Sequence, residues 1–175
     1  NMFKFDKLVF GDTGWGDELI FATLMTITVS ILSMGLGLCL AIITVWAKLI
    51  TNRITRFIAT FYTTVVRGVP ELLVIYLIFF GGNSVLMSVA KLFGYNGYIE
   101  LNALTIGTIA IAFISATYSS EVIRAAYLAV SQGQVEAAKA LGLNKIQIFL
   151  RVMGPQIIRH ALPGIGNVWQ ITLKD

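Results

Sequence analysis

The chain has 175 residues, 57% of them hydrophobic and 13% charged, with a formal net charge of +4 and a mean hydropathy of +0.80. Soluble domains run at roughly 45–50% apolar and about 25% charged, so this composition excludes a water-covered globule and reads as a bilayer protein. The basic residues sit in short segments between apolar runs, which is a topology signal rather than a nucleic-acid-binding face.

Residues 1–18 mix Lys4 and Lys7 with Asp6, Asp12, Asp17 and Glu18, and they do not have the form of a secretory signal peptide. Three apolar stretches follow that are long enough for the roughly 20 helical residues a bilayer requires. The first, residues 19–47, stops at Lys48. Within it Ser33, Gly37 and Ala41 recur every four residues, a stripe that would admit another helix closely, although small residues are common in membrane helices anyway. Cys39, the single cysteine, reads as a buried thiol acting as a small hydrophobe.

The second stretch, residues 57–82, is interrupted at Arg67-Gly68-Val69-Pro70-Glu71. Pro70 is expected to open a fresh half-helix, with Glu71 in its first turn where negative charge is favoured. Gly81-Gly82-Asn83-Ser84 and the Gly94-Tyr95-Asn96-Gly97-Tyr98 run read as turns flanking a short external segment. The third stretch, residues 104–130, carries Glu121 and Arg124 on one face. A fourth is expected to open near Leu162-Pro163, because proline suits the first helical position. The predicted fold is an all-α membrane protein with three complete spans and the start of a fourth.

Lys48, Arg53 and Arg56 occupy the first link with no acid, and Lys139, Lys145, Arg151 and Arg159 follow the third span against Glu136 alone. The positive-inside rule places both segments in the cytoplasm and the N-terminus outside. Arg67 stands eleven residues beyond Arg56, about 16 Å of helix and so near mid-bilayer. An ion there costs at least ~2.5–3.5 kcal/mol on insertion scales and persists where it pairs or lines a cavity. Two readings of Arg67 and Glu71 follow. Either they pair and fix the fold, or they border a solute path at an interrupted helix. Glu121 and Arg124 divide in the same way between a pair at the membrane edge and part of that path.

The cytoplasmic segment 131–160 holds the densest signals. Residues 135–141 are good helix formers and Gly142 is placed to end that helix with a left-handed residue. Asn144 and Gln147 form a capping-box pattern that starts a second helix, which Gly154-Pro155 is expected to break or kink. Two capped helices are more than an ordinary connection of about 4–6 residues contains. The chain has no G-x-x-x-x-G-K-[ST] phosphate loop, so any ATP that drives it binds elsewhere.

Glu136-Ala137-Ala138 followed after three residues by Gly142 resembles the EAA loop of permease subunits in bacterial ATP-binding-cassette (ABC) importers. That pattern continues with an aliphatic residue about ten positions later and then x-Leu-Pro; Val152 and Pro155 match, and Gly154 replaces the leucine. Arg67-Gly68-Val69-Pro70-Glu71-Leu72, Glu121-Val122-Ile123-Arg124 and Ala161-Leu162-Pro163-Gly164-Ile165-Gly166-Asn167 are similar to the polar amino-acid branch, in particular to histidine/lysine/arginine/ornithine and octopine/nopaline permeases. The resemblance implies a type I importer transmembrane domain over residues 1–175, incomplete against the family's five spans. Glu136, Ala137, Ala138, Gly142 and Pro155 would couple it to an ATPase. Arg67, Glu71, Glu121 and Arg124 would border the path of a polar, cationic amino acid or an opine. The implied partners are an identical or homologous permease subunit, two ABC subunits that bind ATP and Mg, a periplasmic or lipid-tethered binding protein, and membrane lipid. This chain would hold no cofactor or metal and catalyse no reaction of its own. The alternatives are an ATP-independent secondary transporter or channel, or a structural membrane subunit. Neither gives a reason for the capped cytoplasmic helices.

Overall fold

The computed structural model describes residues 15–94 and 102–174. The charged start of the chain and the expected turn at 95–98 lie outside the described residues. Everything described is helix or short connection, in the order α1 (Gly16–Leu49), α2 (Arg53–Gly68), α3 (Glu71–Leu92), α4 (Ala103–Leu128), α5 (Gln132–Ala140), α6 (Lys145–Ile148), a π-helical turn at Phe149–Met153 and α7 (Gly154–Thr172). Two helices, α1 and α4, are long and apolar enough to cross a membrane, and α2 with the first half of α3 makes a third if they form one span bent by 111°.

Helix α1 carries Asp17 and Glu18 in its first turn and Lys48 in its last, each sign at the end where the helix dipole favours it. Between these ends it packs along α4 through small residues. Ser33 and Ala41 are fully buried, and the Ser33 hydroxyl donates to the Thr108 carbonyl at 3.1 Å. A Cβ on Gly37 would stand 3.1 Å from the Ala112 carbonyl oxygen, so glycine sets how near the two backbones come. Lipid gives no hydrophobic drive between helices, and close packing of this kind takes its place. Helix α7 also approaches α4 closely: a Cβ on its Gly164 would meet Val122 Cγ1 at 2.7 Å. Trp169 Nε1 donates to Ser30 Oγ at 2.9 Å, tying α7 to α1.

The break in the second stretch falls where the sequence puts it. Helix α2 starts on an Asn52 cap that accepts the Ile54 N–H at 2.9 Å and ends at Gly68, Val69 is extended, and Pro70 caps α3. The Pro70 carbonyl accepts from Leu73 and Val74 at 2.9 and 3.3 Å. Tyr62 of α2 donates to the Phe113 carbonyl of α4 at 2.6 Å, so the bent pair is anchored on α4.

Four expectations are corrected. Gly81-Gly82-Asn83-Ser84 do not turn; they lie within α3, because a backbone in apolar surroundings keeps its hydrogen bonds by staying helical. The last helix does not open at Leu162-Pro163. It starts at Gly154, with Pro155 in its first turn and Pro163 inside it. Nor does Gly154-Pro155 break the chain, since the π turn carries α6 into α7. The Gly154 N–H reaches back to the Phe149 carbonyl, and a Cβ at Gly154 would press on that oxygen at 3.0 Å. Glycine at the position where the family pattern has leucine therefore suits the wide turn, a common device for absorbing a local mismatch in a helix. Finally, Cys39 is exposed on α1 rather than buried.

Candidate functional site

Helix α2 is strongly two-sided. Arg56, Thr60, Thr63, Thr64 and Arg67 recur at spacings of three and four, which gathers them on one face. That face lines a cleft of about 550 Å³, completed by Gly68, by Lys48 of α1 and by Tyr118, Glu121 and Arg124 of α4. Lys48, with only 7% of its side chain exposed, pairs with Glu121 Oε1 and donates to Thr63 Oγ1 at 2.6 Å. Arg124 Nε stands 3.4 Å from the other oxygen of Glu121. Glu121 is thus held between two cations, and through Lys48, which also bonds Thr63, the end of α1 is joined to α2 and α4.

Among the described residues no ion pair joins Arg67 to Glu71. Both meet Tyr118 instead. The Arg67 guanidinium lies over the Tyr118 ring, 5.6 Å from its centroid, where the ring face attracts a cation. The Tyr118 hydroxyl donates to Glu71 Oε1 at 2.8 Å. Of the four residues predicted to border a path, Arg67, Glu121 and Arg124 line the cleft, and Glu71 stands behind Tyr118. Sequence reasoning missed Lys48, Arg56, Thr63 and Tyr118 as members of this site. In the sequence Lys48 and Arg56 carry only a topology signal. The polar run Thr117-Tyr118-Ser119-Ser120 inside an otherwise apolar stretch was the signal available for Tyr118.

The second candidate site is the corner after α4. Helix α5 ends as expected: Gly142 has φ +79, the Gly142 N–H bonds to the Lys139 carbonyl at 2.9 Å and the Leu143 N–H to the Ala138 carbonyl at 3.2 Å. These two bonds are the Schellman closure. Two residues on, Asn144 and Gln147 form the full capping box, with bonds of 2.9 and 3.0 Å. Gln156 of α7 donates to Gln134 Oε1 and to the Val152 carbonyl, fixing the start of α5 to the start of α7. Ala138 is buried, while Glu136, Ala137 and Gly142 are exposed. Leu141, Ile146 and Leu150 stand out around them at 80%, 70% and 64% exposure. Pro155 lies beyond the π turn, in the first turn of α7. Among the described residues no group of His, Cys, Asp and Glu is placed to hold a metal.

An all-helical chain with membrane-spanning helices, a bent helix pair beside a charged cleft, and a capped corner with exposed apolar residues between its long helices has the features of a transport subunit. Residues 33–175 match the family of binding-protein-dependent transport system inner membrane components, and the chain belongs to that family as its membrane-embedded permease component rather than its ATPase. It is similar to the nopaline transport system permease protein NocQ of Agrobacterium fabrum, 50% identical over 96% of this chain and 72% of that one. It is 42% identical to the octopine transport system permease protein OccQ of Rhizobium radiobacter, over 95% of this chain and 70% of the relative. The histidine/lysine/arginine/ornithine permease HisQ of Escherichia coli is 38% identical, over 93% of this chain and 71% of its own length. A crystal structure of an amino acid ABC transporter with histidines matches with a TM-score of 0.70 and 31% identity, over 86% of this chain and 65% of that one.

Proposed function

We propose that the chain is the permease subunit of an ATP-driven, binding-protein-dependent importer of polar amino acids or opines, with the cleft on its solute path. The carrying observation is a direct mechanical link. Tyr118, Glu121 and Arg124 line the cleft from the last turns of α4, and α4 passes into α5 through only residues 129–131. A displacement of the corner therefore reaches the cleft through the last turns of one continuous helix. Packed helices move between discrete arrangements rather than deforming continuously, which suits a lever driven by an ATPase.

In this reading the domain is the type I importer transmembrane domain, which has five spans in the family, with α1, the bent α2–α3 pair and α4 as three and α7 as the beginning of a fourth. The N-terminus is outside, and the EAA loop, residues 131–160, is cytoplasmic. Glu136, Ala137 and Gly142 face the ATPase, whose docking the exposed Leu141, Ile146 and Leu150 complete; Ala138, on the buried side of α5, serves the coupling loop through packing, and Pro155 fixes the exit from the loop. The partners are a second permease subunit, identical or homologous, two ABC subunits that hold ATP and Mg, and a solute-binding protein. A secondary transporter leaves the corner without a task.

The test is co-reconstitution of the permease pair with its ATPase subunits in proteoliposomes, with the binding protein added and uptake of labelled nopaline, octopine, histidine and arginine measured. Uptake of at least one of these, dependent on both ATP hydrolysis and the binding protein, is expected. Uptake that persists without ATP would instead establish the secondary-transporter reading.

A further inference from the structure

Apart from the charged cleft, a groove of about 460 Å³ runs between Leu38, Trp46 and Leu49 of α1, Tyr127 of α4, Phe149 of the π turn and Leu162 of α7. No charged side chain lines it. It follows α1 from Leu38 to Leu49, the last residue of that helix, over about 16 Å. That length is about half of a hydrocarbon core some 30 Å thick, the depth of one leaflet. The groove is also narrow. Its volume spread over about 16 Å leaves a mean cross-section of about 29 Å². A helix about 10 Å across needs about 80 Å². The space is too slim to seat a neighbouring helix and suits the thinner thread of one acyl chain.

The mouth of the groove offers what a phospholipid headgroup meets. Trp46 and Tyr127 stand in the last turns of α1 and α4. Among the described residues neither the indole N–H nor the phenol hydroxyl has a hydrogen-bond partner. Such rings collect where membrane meets water, with the apolar body inward and the polar tip among headgroups. Arg53 follows Leu49 by four residues, and Lys145 precedes Phe149 by about one helical turn. Both are exposed and have no ion pair among the described residues. Basic residues beside a recess between membrane helices on the cytoplasmic side attract anionic headgroups, by about fivefold in affinity each. We propose that the groove binds one anionic phospholipid of the cytoplasmic leaflet. An acyl chain lies along α1, and the headgroup is drawn to Arg53 and Lys145. The lipid thereby fills the joint where α1, the end of α4 and the turn into α7 meet. The inference goes beyond the permease reading and takes from it only the orientation that puts the corner in the cytoplasm.

The complete importer is reconstituted in one mixture of phosphatidylcholine and phosphatidylglycerol that contains acyl-brominated lipid. In one series the bromine is carried by the phosphatidylglycerol, and in the other by an equal amount of the phosphatidylcholine. Bromine quenches tryptophan at contact, and the share due to Trp46 is the difference from Trp46→Phe. Brominated phosphatidylglycerol is expected to quench Trp46 at a concentration about fivefold or more lower than brominated phosphatidylcholine, the scale of one or two basic residues near a headgroup. The preference should fall to near unity in Arg53→Gln with Lys145→Gln and survive in Arg53→Lys with Lys145→Arg. Should the double glutamine variant fail to assemble, each single change is expected to lower the preference and carries the test. Equal quenching by the two lipids in the unaltered complex overturns the site and leaves ordinary bilayer contact. Quenching by neither means that protein covers the groove, a second permease subunit or another segment, and overturns it too. A preference that no Gln variant lowers places the headgroup elsewhere and has the same effect. Solute uptake is read separately on the same vesicles. A complex that keeps the lipid preference and moves no solute fails the permease reading alone.

Discussion

Gly35 and Gly37 stand two positions apart in α1 and have opposite surroundings. A Cβ on Gly35 would meet nothing within 4 Å, whereas one on Gly37 would press on the Ala112 carbonyl and the Ser115 side chain of α4. Overpacking a tight contact costs typically about 1–3 kcal/mol. Gly37→Leu is therefore expected to lower the thermal unfolding midpoint of the detergent-solubilised complex, while Gly35→Leu leaves it unchanged within error. Equal effects would mean that the α1–α4 approach is not set at Gly37. The Ser33, Gly37 and Ala41 stripe was legible because helical periodicity is local, and the structure lays all three against α4. The partner of Lys48 was not legible. Glu121 lies 73 residues away, and no spacing rule reaches from one helix end to another.

Among the elements, the corner was the most legible because its signals are chemical and short-range: a glycine that accepts positive φ and a capping box within four residues. Its continuation was misread for a related reason. Gly154 and Pro155 are stop signals in water and Pro163 a start signal, yet the π turn and the neighbouring helices keep this chain helical through all three. Likewise the apolar average of residues 57–82 concealed the polar face of α2, on which half of the cleft is built. The corner makes a firm prediction. Asn144→Ala removes the capping box, a loss of about 0.5–2 kcal/mol, and Gly142→Asp forces a side chain into the left-handed region. Both changes should loosen the corner without touching the cleft. Binding-protein-stimulated ATP hydrolysis should fall in both variants, as it should in Glu136→Lys, while the subunits still co-purify. Full stimulation in all three would remove the coupling role from this corner.

At the scale of the whole molecule, the charges towards the C-terminal ends of α1 and α4, with a hydroxyl of α2 beside them, form one device. Lys48 closes α1, Thr63 lies on α2, and Glu121 with Arg124 ends α4 just before the corner. Removing one partner of a buried pair costs about 3–5 kcal/mol because it strands a charge, while replacing both is far milder. The two halves are not equivalent here. Glu121→Gln strands Lys48, whose side chain is nearly buried, whereas Lys48→Met leaves Glu121 with Arg124 as a second partner. Glu121→Gln should therefore destabilise the complex more than Lys48→Met, and the double variant should be more stable than the sum of the single losses implies. An interaction energy in the range of about 0.5–3 kcal/mol marks groups in direct contact. It can be measured by thermal unfolding of the four proteins of the cycle in one detergent. Strict additivity would show that Lys48 and Glu121 do not hold α1 to α4, and that the cleft keeps its shape through the other contacts between its helices, such as Ser33 to Thr108 and Tyr62 to Phe113. Non-additivity with the expected asymmetry would make the pair the fastening between the longest helix and the one that leads into the corner. A lever driven from α5 would then move the Lys48 end of α1 together with the walls of the cleft.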